Sequence, residues 1–259
     1  MNNQKEIIKN VGSWGNSAGI LLPKEWLGSR VKIILIENGL EIKKEITSIL
    51  LDYLDDIVGI YLTGSYSRGE QEEDSDIDII AISNKTKKEI ISGRYSISII
   101  TLENLKKTLN NNPLLVLPRL NEAKTIFNPI LLRELKKIKI SKNSFRGYIE
   151  ETDKIIKINK NLLDFEQNPI LESNEIIYSL MLRLRGIYLI QCLLQKKSYI
   201  KKEFLKHLSI SSRDSKEIDK AYLLYKKIRD GKSTKKLQLK TETANSLLIF
   251  AEKEINKLK

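Results

Sequence analysis

The sequence predicts a chain of three parts: a small β segment, an acidic α/β middle and a basic all-helical C-terminal half. Three observations predict it. Residues 1–44 are strand-like and punctuated by glycine; residues 45–128 alternate helical spacing with short apolar runs; residues 129–259 keep helical spacing throughout, interrupted at Pro129, Pro169 and Gly231. Charge divides along the same lines. Lys and Arg against Asp and Glu number seven to four in the first part, nine to thirteen in the second and twenty-nine to sixteen in the third. A basic half suits a polyanionic partner such as RNA, DNA or nucleotide phosphates; a Lys-rich composition alone explains it equally well.

Element by element, "LPKEWLG" reads as a short helical turn opened by Pro23 and closed by Gly28. "VKIILIE" reads as a strand, and "NGLEIKK" as a turn followed by a second strand. "KEITSILLDYLDDI" has helical spacing, "VGIYLTG" is a buried strand, "IDIIAIS" and "RYSISIIT" are further strands, "LENLKKTLN" is a helix and "AKTIFN" a last strand. Helices are expected at 130–138, 144–165, 173–197, 199–208, 213–230 and 241–258. No apolar run reaches the roughly 20 residues of a spanning helix, and no apolar leader opens the chain. With the single cysteine, Cys192, this predicts a cytoplasmic protein without a membrane partner. Cys192 and Tyr148, Tyr178, Tyr188 and Tyr222 read as packing residues, and the one histidine, His207, as a surface residue.

The chemistry concentrates in "GSYSRGEQEEDSDIDII", residues 64–80, where six acids fall between Glu70 and Asp78. Residues i and i+2 of a strand share a face, so Asp76 and Asp78 project together. Two such carboxylates repel unless a cation lies between them, and hard oxygen ligands suit Mg²⁺. The Gly64–Ser65 turn offers backbone N–H groups and a hydroxyl to phosphate oxygens, and Arg68 adds positive charge. Metal, phosphate cradle and strand-borne acids together are the parts of phosphoryl or nucleotidyl transfer. The remaining acids, Glu70 to Asp74, read as a solvated loop.

This stretch, "IYLTGSYSRGEQEEDSDIDIIAIS", resembles the DNA polymerase β-like nucleotidyltransferase superfamily, above all its small prokaryotic members. The resemblance covers residues 45–128. It implies an α/β core of mixed sheet with flanking helices, and transfer of a nucleoside monophosphate, AMP from ATP in the commonest case, to a hydroxyl. Asp76 and Asp78 would be catalytic and would hold two Mg²⁺ ions; Gly64, Ser65 and Arg68 would contact the nucleotide. A third carboxylate is expected on the next strand. Here that strand reads "RYSISII", with Ser96 and Ser98 in its place and Glu103 just beyond.

Residues 5–44 resemble the AbrB/MazE-like swapped-hairpin domains through Gly15-Asn16-Ser17, Leu22-Pro23-Lys24-Glu25 and Val31 to Ile36. That resemblance implies a homodimer and possible DNA binding through Lys9, Lys24, Arg30 and Lys32, with Trp14 and Trp26 as core or dimer contacts. The domains are thus expected at 1–44, 45–128 and 129–259. In the last, Arg183 and Arg185 lie in an otherwise apolar helix and either pair with acids or reach nucleotide phosphates. Three functions follow: a nucleotidyltransferase acting on a small molecule, protein or RNA hydroxyl; a catalytically weakened nucleotide-binding, DNA-binding regulator; or an antitoxin-like protein acting on a partner.

Overall fold

The computed structural model describes residues 7, 9, 11–33, 39–72, 75–210, 214–234 and 237–259. The chain divides into two units, Met1–Asp52 and Tyr53–Lys259.

In the first unit, β1 (Gly12–Trp14) pairs antiparallel with β2 (Ser17–Gly19). The turn between them needs Gly15, whose φ of +57° lies in the left-handed region. Lys24–Trp26 forms the expected helical turn, as a single 3₁₀ turn. The strand expected from "VKIILIE" has no strand geometry over residues 31–33, and its residues 34–37 lie outside the described residues, as does Asn38 of the predicted turn. The second strand is corrected: from Gly39 the chain is helical, α1 (Gly39–Ile49). Ile42, Ile46, Ile49 and Leu50 recur at helical spacing and form its less exposed side. A five-residue apolar–polar alternation is too short to distinguish the two periods. Among the described residues this unit has one two-stranded ladder. Trp14 is 63% exposed, and Val11, Leu21, Leu27, Val31 and Ile33 are exposed with it.

The second unit is built on a five-stranded mixed sheet of order β5-β6-β4-β3-β7. Its strands are β3 (Ile57–Thr63), β4 (Ile77–Ser83), β5 (Lys88–Ser92), β6 (Tyr95–Thr101) and β7 (Lys124–Phe127). β4 and β6 run parallel, and every other neighbouring pair is antiparallel. Short helices α2 (Gly64–Arg68) and α4 (Leu117–Glu122) precede β4 and β7, and α3 (Leu102–Asn111) follows β6. β5 is not among the expected strands. It is an edge strand whose side chains are mostly exposed, so no buried alternation marks it.

The C-terminal half is helical as expected: α5 (Pro129–Leu135), α6 (Arg146–Asp164), α7 (Asn174–Leu194), α8 (Lys201–Leu208), α9 (Ser215–Arg229) and α10 (Thr241–Asn256). These helices and one face of the sheet share a core, to which the sheet gives Tyr61, Ile80 and Ile82. α7 is its centre, with Ile177, Leu180, Met181 and Ile190 fully buried, each contributing about 1.5–3 kcal/mol by burial. By length and composition α7 can cross a membrane, with mean hydropathy 1.4, which corrects the reading that no such run exists; 61% of that stretch is buried inside the unit. α6 meets α7 at Gly186, where a Cβ would fall 1.7 Å from the Tyr148 hydroxyl. Any side chain there must displace the Tyr148 ring. Cys192 is buried, as expected, but His207 is not a surface residue. Its ring packs on Tyr188 and Phe250, and its Nε2 lies 3.4 Å from the buried Glu254 carboxylate.

Candidate active site

The topology brings four chain ends to one edge of the sheet. β3 is antiparallel to β4 and β7, so its C-terminus lies beside the N-termini of both; β6 is parallel to β4 and starts at the same edge. In register, Thr63 of β3 faces Asp78 of β4, and Asp78 faces Ser96 of β6. Residues of known chemistry therefore gather here from four separate stretches of sequence.

Gly64 begins α2 at φ +70°, and a Cβ on it would lie 2.1 Å from Asp78 Oδ2. The Asp78 carboxylate thus packs directly on the main chain at Gly64, and only glycine fits. Asp76 is exposed just ahead of β4, and Asp78 is half-buried. Burial pushes the Asp78 carboxyl above its usual range; Arg119 opposes this, the Asp76 carboxylate adds to it, and Arg68 and Arg229 oppose it more weakly. Asp76 and Asp78 are thus near enough to act on one another, and three guanidinium groups act on Asp78.

Gly64 and Arg68 are also brought together, by a residue that sequence reasoning does not single out. Glu122, the last residue of α4, accepts the Gly64 N–H on Oε1 at 2.9 Å and Arg68 Nη1 on Oε2 at 2.6 Å. Arg68 Nε donates to Glu70 Oε2 at 2.7 Å. Burial alone would lower the Arg68 pKa, but Glu70 and Glu122 hold it above its ordinary value. Ser65 is half-buried on α2, where its carbonyl accepts the Glu70 N–H at 2.9 Å.

The acidic loop is not merely solvated. Glu70 Oε1 accepts the backbone N–H of Lys201 at 2.9 Å, and Glu72 takes Lys201 Nζ at 3.1 Å and Lys226 Nζ at 2.5 Å. Those hydrogen bonds, Lys226 first, hold the Glu72 carboxyl below its usual range. Glu73 and Asp74 lie outside the described residues. The loop carrying Asp76 is thereby fastened to α8 and α9.

Arg183 and Arg185 differ in their partners. Arg183 pairs with Glu151 at 3.4 Å and lies over Tyr148. Arg185 lies 5.3 Å from the Tyr199 ring centroid, with Arg68 at 5.7 Å from the same ring. Arg185 faces Tyr199, Tyr222 and Tyr225, and no carboxylate among the described residues pairs with it. The buried Tyr199 hydroxyl has no hydrogen-bond partner among the described residues. A half-buried guanidinium with only tyrosine rings for company is suited to an incoming anion.

Asp76 and Asp78 fit a hard divalent cation, which typically takes one or two carboxylates and fills its remaining positions with water and substrate phosphate. Among the described residues, no group of three or more His, Cys, Asp or Glu is placed to hold a metal. Ser96 stands in register beside Asp78, and Ser98 Oγ donates to Glu89 at 2.6 Å. Glu103 is no substitute. It lies beyond the far end of β6, with about 16 Å of strand between Ser96 and Thr101, and it pairs with Lys107 on the exposed side of α3. In the first unit, Lys9, Lys24, Arg30 and Lys32 are all exposed.

Glu122, Arg119, Arg229, Lys201 and Lys226 are the site residues that sequence reasoning misses. One signal exists for Glu122: a residue just ahead of a strand antiparallel to β3 falls at the edge where β3 ends.

Comparison with known proteins agrees with this geometry. The family described as "Nucleotidyltransferase domain" matches residues 43–174 of the 259. A Methanocaldococcus jannaschii protein named "Putative protein adenylyltransferase MJ1305" is 36% identical over 107 residues, 40% of this chain and 72% of its own length. A second from that organism, "Putative protein adenylyltransferase MJ0141", is 40% identical over 70 residues, 24% of this chain and 68% of its own length. Among solved structures, spectinomycin adenyltransferase AAD(9) from Enterococcus faecialis, with ATP and spectinomycin, superposes loosely. Its TM-score is 0.46 at 15% identity, covering 85% of this chain and 100% of that one. Residues 4–39 match a different family, described as "Putative transposon-encoded protein (DUF2080)". The match takes in the whole five-stranded sheet and more than half of the chain: this chain is a member of the nucleotidyltransferase domain family.

Proposed function

We propose that the protein transfers AMP from ATP to a hydroxyl of a protein acceptor, with Mg²⁺ as cofactor. The observation that carries this reading is the placement of Asp78, beside Asp76, against the Gly64 main chain and within reach of Arg119, Arg68 and Arg229. A protein acceptor is favoured over a small molecule or an RNA end because the two Methanocaldococcus relatives carry the name protein adenylyltransferase.

In this reading the acceptor oxygen attacks the α-phosphorus, the bond to the β-phosphate breaks, and pyrophosphate leaves. Asp76 and Asp78 are the residues that would hold Mg²⁺. When bound, the ion supplies charge neutralisation for the phosphates. Gly64, Ser65 and Arg68 bind the phosphate tail, and Arg119, Arg185 and Arg229 complete its positive surroundings. β6 supplies no carboxylate to take the hydroxyl proton, which passes to water.

That gap favours a second reading, in which the chain binds nucleotide but turns it over slowly and acts as a regulator or an antitoxin-like protein. The first unit suits such a role. Its exposed Val11, Trp14, Leu21, Leu27 and Ile33 are what a segment leaves uncovered when its core is completed by a second copy, so we take the protein as a cytoplasmic homodimer. Lys9, Lys24, Arg30 and Lys32 are then its candidate DNA contacts, and 1–44, 45–128 and 129–259 its domains.

Incubation with α-labelled ATP, Mg²⁺ or Mn²⁺ and host lysate tests the first reading, beside an Asp76→Asn/Asp78→Asn double variant. Label on a protein band with wild type alone supports it and isolates the acceptor. ATP binding without transfer moves the conclusion to the regulator.

A further inference from the structure

Resting on the phosphate-binding reading of Gly64 and Arg68, we infer that Glu122 is a specificity-determining residue that occupies the phosphate seat itself and gives it up only to a polyphosphate. Its two carboxylate oxygens take two donors, Gly64 N–H and Arg68 Nη1, in the bridging manner of two phosphate oxygens. The contact is not a surface pairing that water screens: the Glu122 side chain is 10% exposed and that of Arg68 20%. Arg68 is also held by Glu70, so one guanidinium serves two carboxylates. The seat is overneutralised before any nucleotide arrives.

The consequence is selective. A weakly charged anion meets a net negative group with its best donors already taken. A metal-bound triphosphate has more oxygens and more charge, and it finds cations that Glu122 does not engage. Arg185 has no carboxylate partner among the described residues, and Arg119 is the foremost cation acting on Asp78. Those groups hold the incoming tail while Glu122 is displaced. Discrimination then comes from a competing carboxylate as well as from attractive contacts. The competitor is held by the fold, because Glu122 ends α4, two residues ahead of the strand that pairs with β3.

Calorimetric titration of the full chain with Mg²⁺–ATP and with AMP tests this. Glu122→Gln keeps an acceptor for the Gly64 N–H and removes the charge. It is expected to tighten ATP about tenfold, and AMP by at least as much, so that the preference for ATP narrows. In an Arg68→Ala background the same substitution is expected to lose most of its effect, because the two residues act as a pair. ATP binding by Glu122→Gln that is unchanged or weaker overturns the inference: Glu122 then merely aims Arg68. Should Glu122→Gln fail to fold by circular dichroism, Glu122→Asp replaces it. It withdraws the carboxylate by one methylene, is also expected to tighten ATP, and overturns the inference if it does not. Wild type and variants that all fail to bind ATP refute the reading of the site, and this inference with it. Wild type that binds through Arg68, with no gain in Glu122→Gln, refutes only the role given to Glu122.

Discussion

β4 and β6 run parallel, in register and from the same edge of the sheet, yet one presents Asp78 and the other Ser96. The strands are otherwise alike. Each buries apolar residues on one face, with Ile77 and Ile79 paired with Tyr95 and Ile97, and β4 begins beside the end of β3 that leads into Gly64, with β6 one strand farther out. The difference is therefore chemical and not architectural. Two positions adjacent in register carry different groups. A hydroxyl neither neutralises a cation nor takes a proton at neutral pH, so in the proposed reading Asp78 on β4 has no matching base on β6.

The largest effect is expected from making β4 resemble β6. Asp76→Asn/Asp78→Asn should lower label transfer by about 10³-fold or more, measured with α-labelled ATP, while the circular dichroism spectrum is unchanged. Asp78→Asn alone should also raise Tm in metal-free buffer. The sign follows from its raised pKa. A carboxyl held above its unfolded value of 3.8 costs stability above its folded pKa, and the cost disappears as pH falls below 3.8. The gain from Asp78→Asn should be full at pH 7 and should fade in strong acid. A Tm that falls at pH 7 would mean that the three arginines, and not burial, dominate at this position.

The reverse change, making β6 resemble β4, should be next in size. Ser96→Asp places a carboxylate in register beside Asp78. Transfer should rise on the order of 10-fold to 100-fold, below the full effect of a well-placed general base. The metal-free protein should lose about 1–3 kcal/mol in urea unfolding from a third acid at the same edge, with Mg²⁺ or Mn²⁺ restoring part of it. Destabilisation that metal does not relieve, without added transfer, would show that β6 was never a metal-facing strand here.

The same two strands show how much of the site is legible in the sequence. Asp76, Asp78, Gly64 and Arg68 lie within fifteen residues of one another, so local spacing and strand alternation suffice to bring them together. The absence of an acid on β6 is equally visible. Glu122 is not, because it lies 44 residues beyond Asp78 and reaches the site only through the pairing of β3 with β7. Lys201, Lys226 and Arg229 are farther still and arrive through helix packing. The helices of the C-terminal half are legible to within about three residues at each end because the 3.6-residue period runs for several turns between the Pro and Gly breaks. The strand expected at 40–44 fails because five residues contain too little of either period. Glu70 and Glu72 look solvated in the sequence, since charge alone does not reveal a lysine brought up from 130 residues away.

A smaller effect is expected where the two strands are alike in needing support from outside the sheet. The loop ahead of β4 is fastened by Glu72 to Lys201 and Lys226. Glu72→Ala should raise the KM for ATP about three- to tenfold by loosening Asp76, and change stability by less than about 1 kcal/mol, because both pairs are partly exposed. A loss of kcat with KM unchanged would instead place Glu72 nearer the reacting atoms than its hydrogen bonds indicate.

The smallest effect is expected at Glu103, the acid just beyond the C-terminal end of β6. Were it a displaced third carboxylate, Glu103→Gln would lower transfer as steeply as is expected of the Asp76→Asn/Asp78→Asn variant. The parallel register argues otherwise. Asp78 and Ser96 are paired at the start of their strands, and Glu103 follows the end of β6, where Ser83 and Thr101 are paired. No turn returns it, since α3 begins at Leu102 and carries Glu103 in its first turn, paired with Lys107 four residues on. That pair is exposed and screened by solvent. Glu103→Gln should therefore leave transfer within about twofold of wild type and the urea unfolding midpoint unchanged. A large loss of transfer would require β6 to shift by several residues relative to β4. It would then be the pairing of these two strands, and not the chemistry assigned to them, that needed revision.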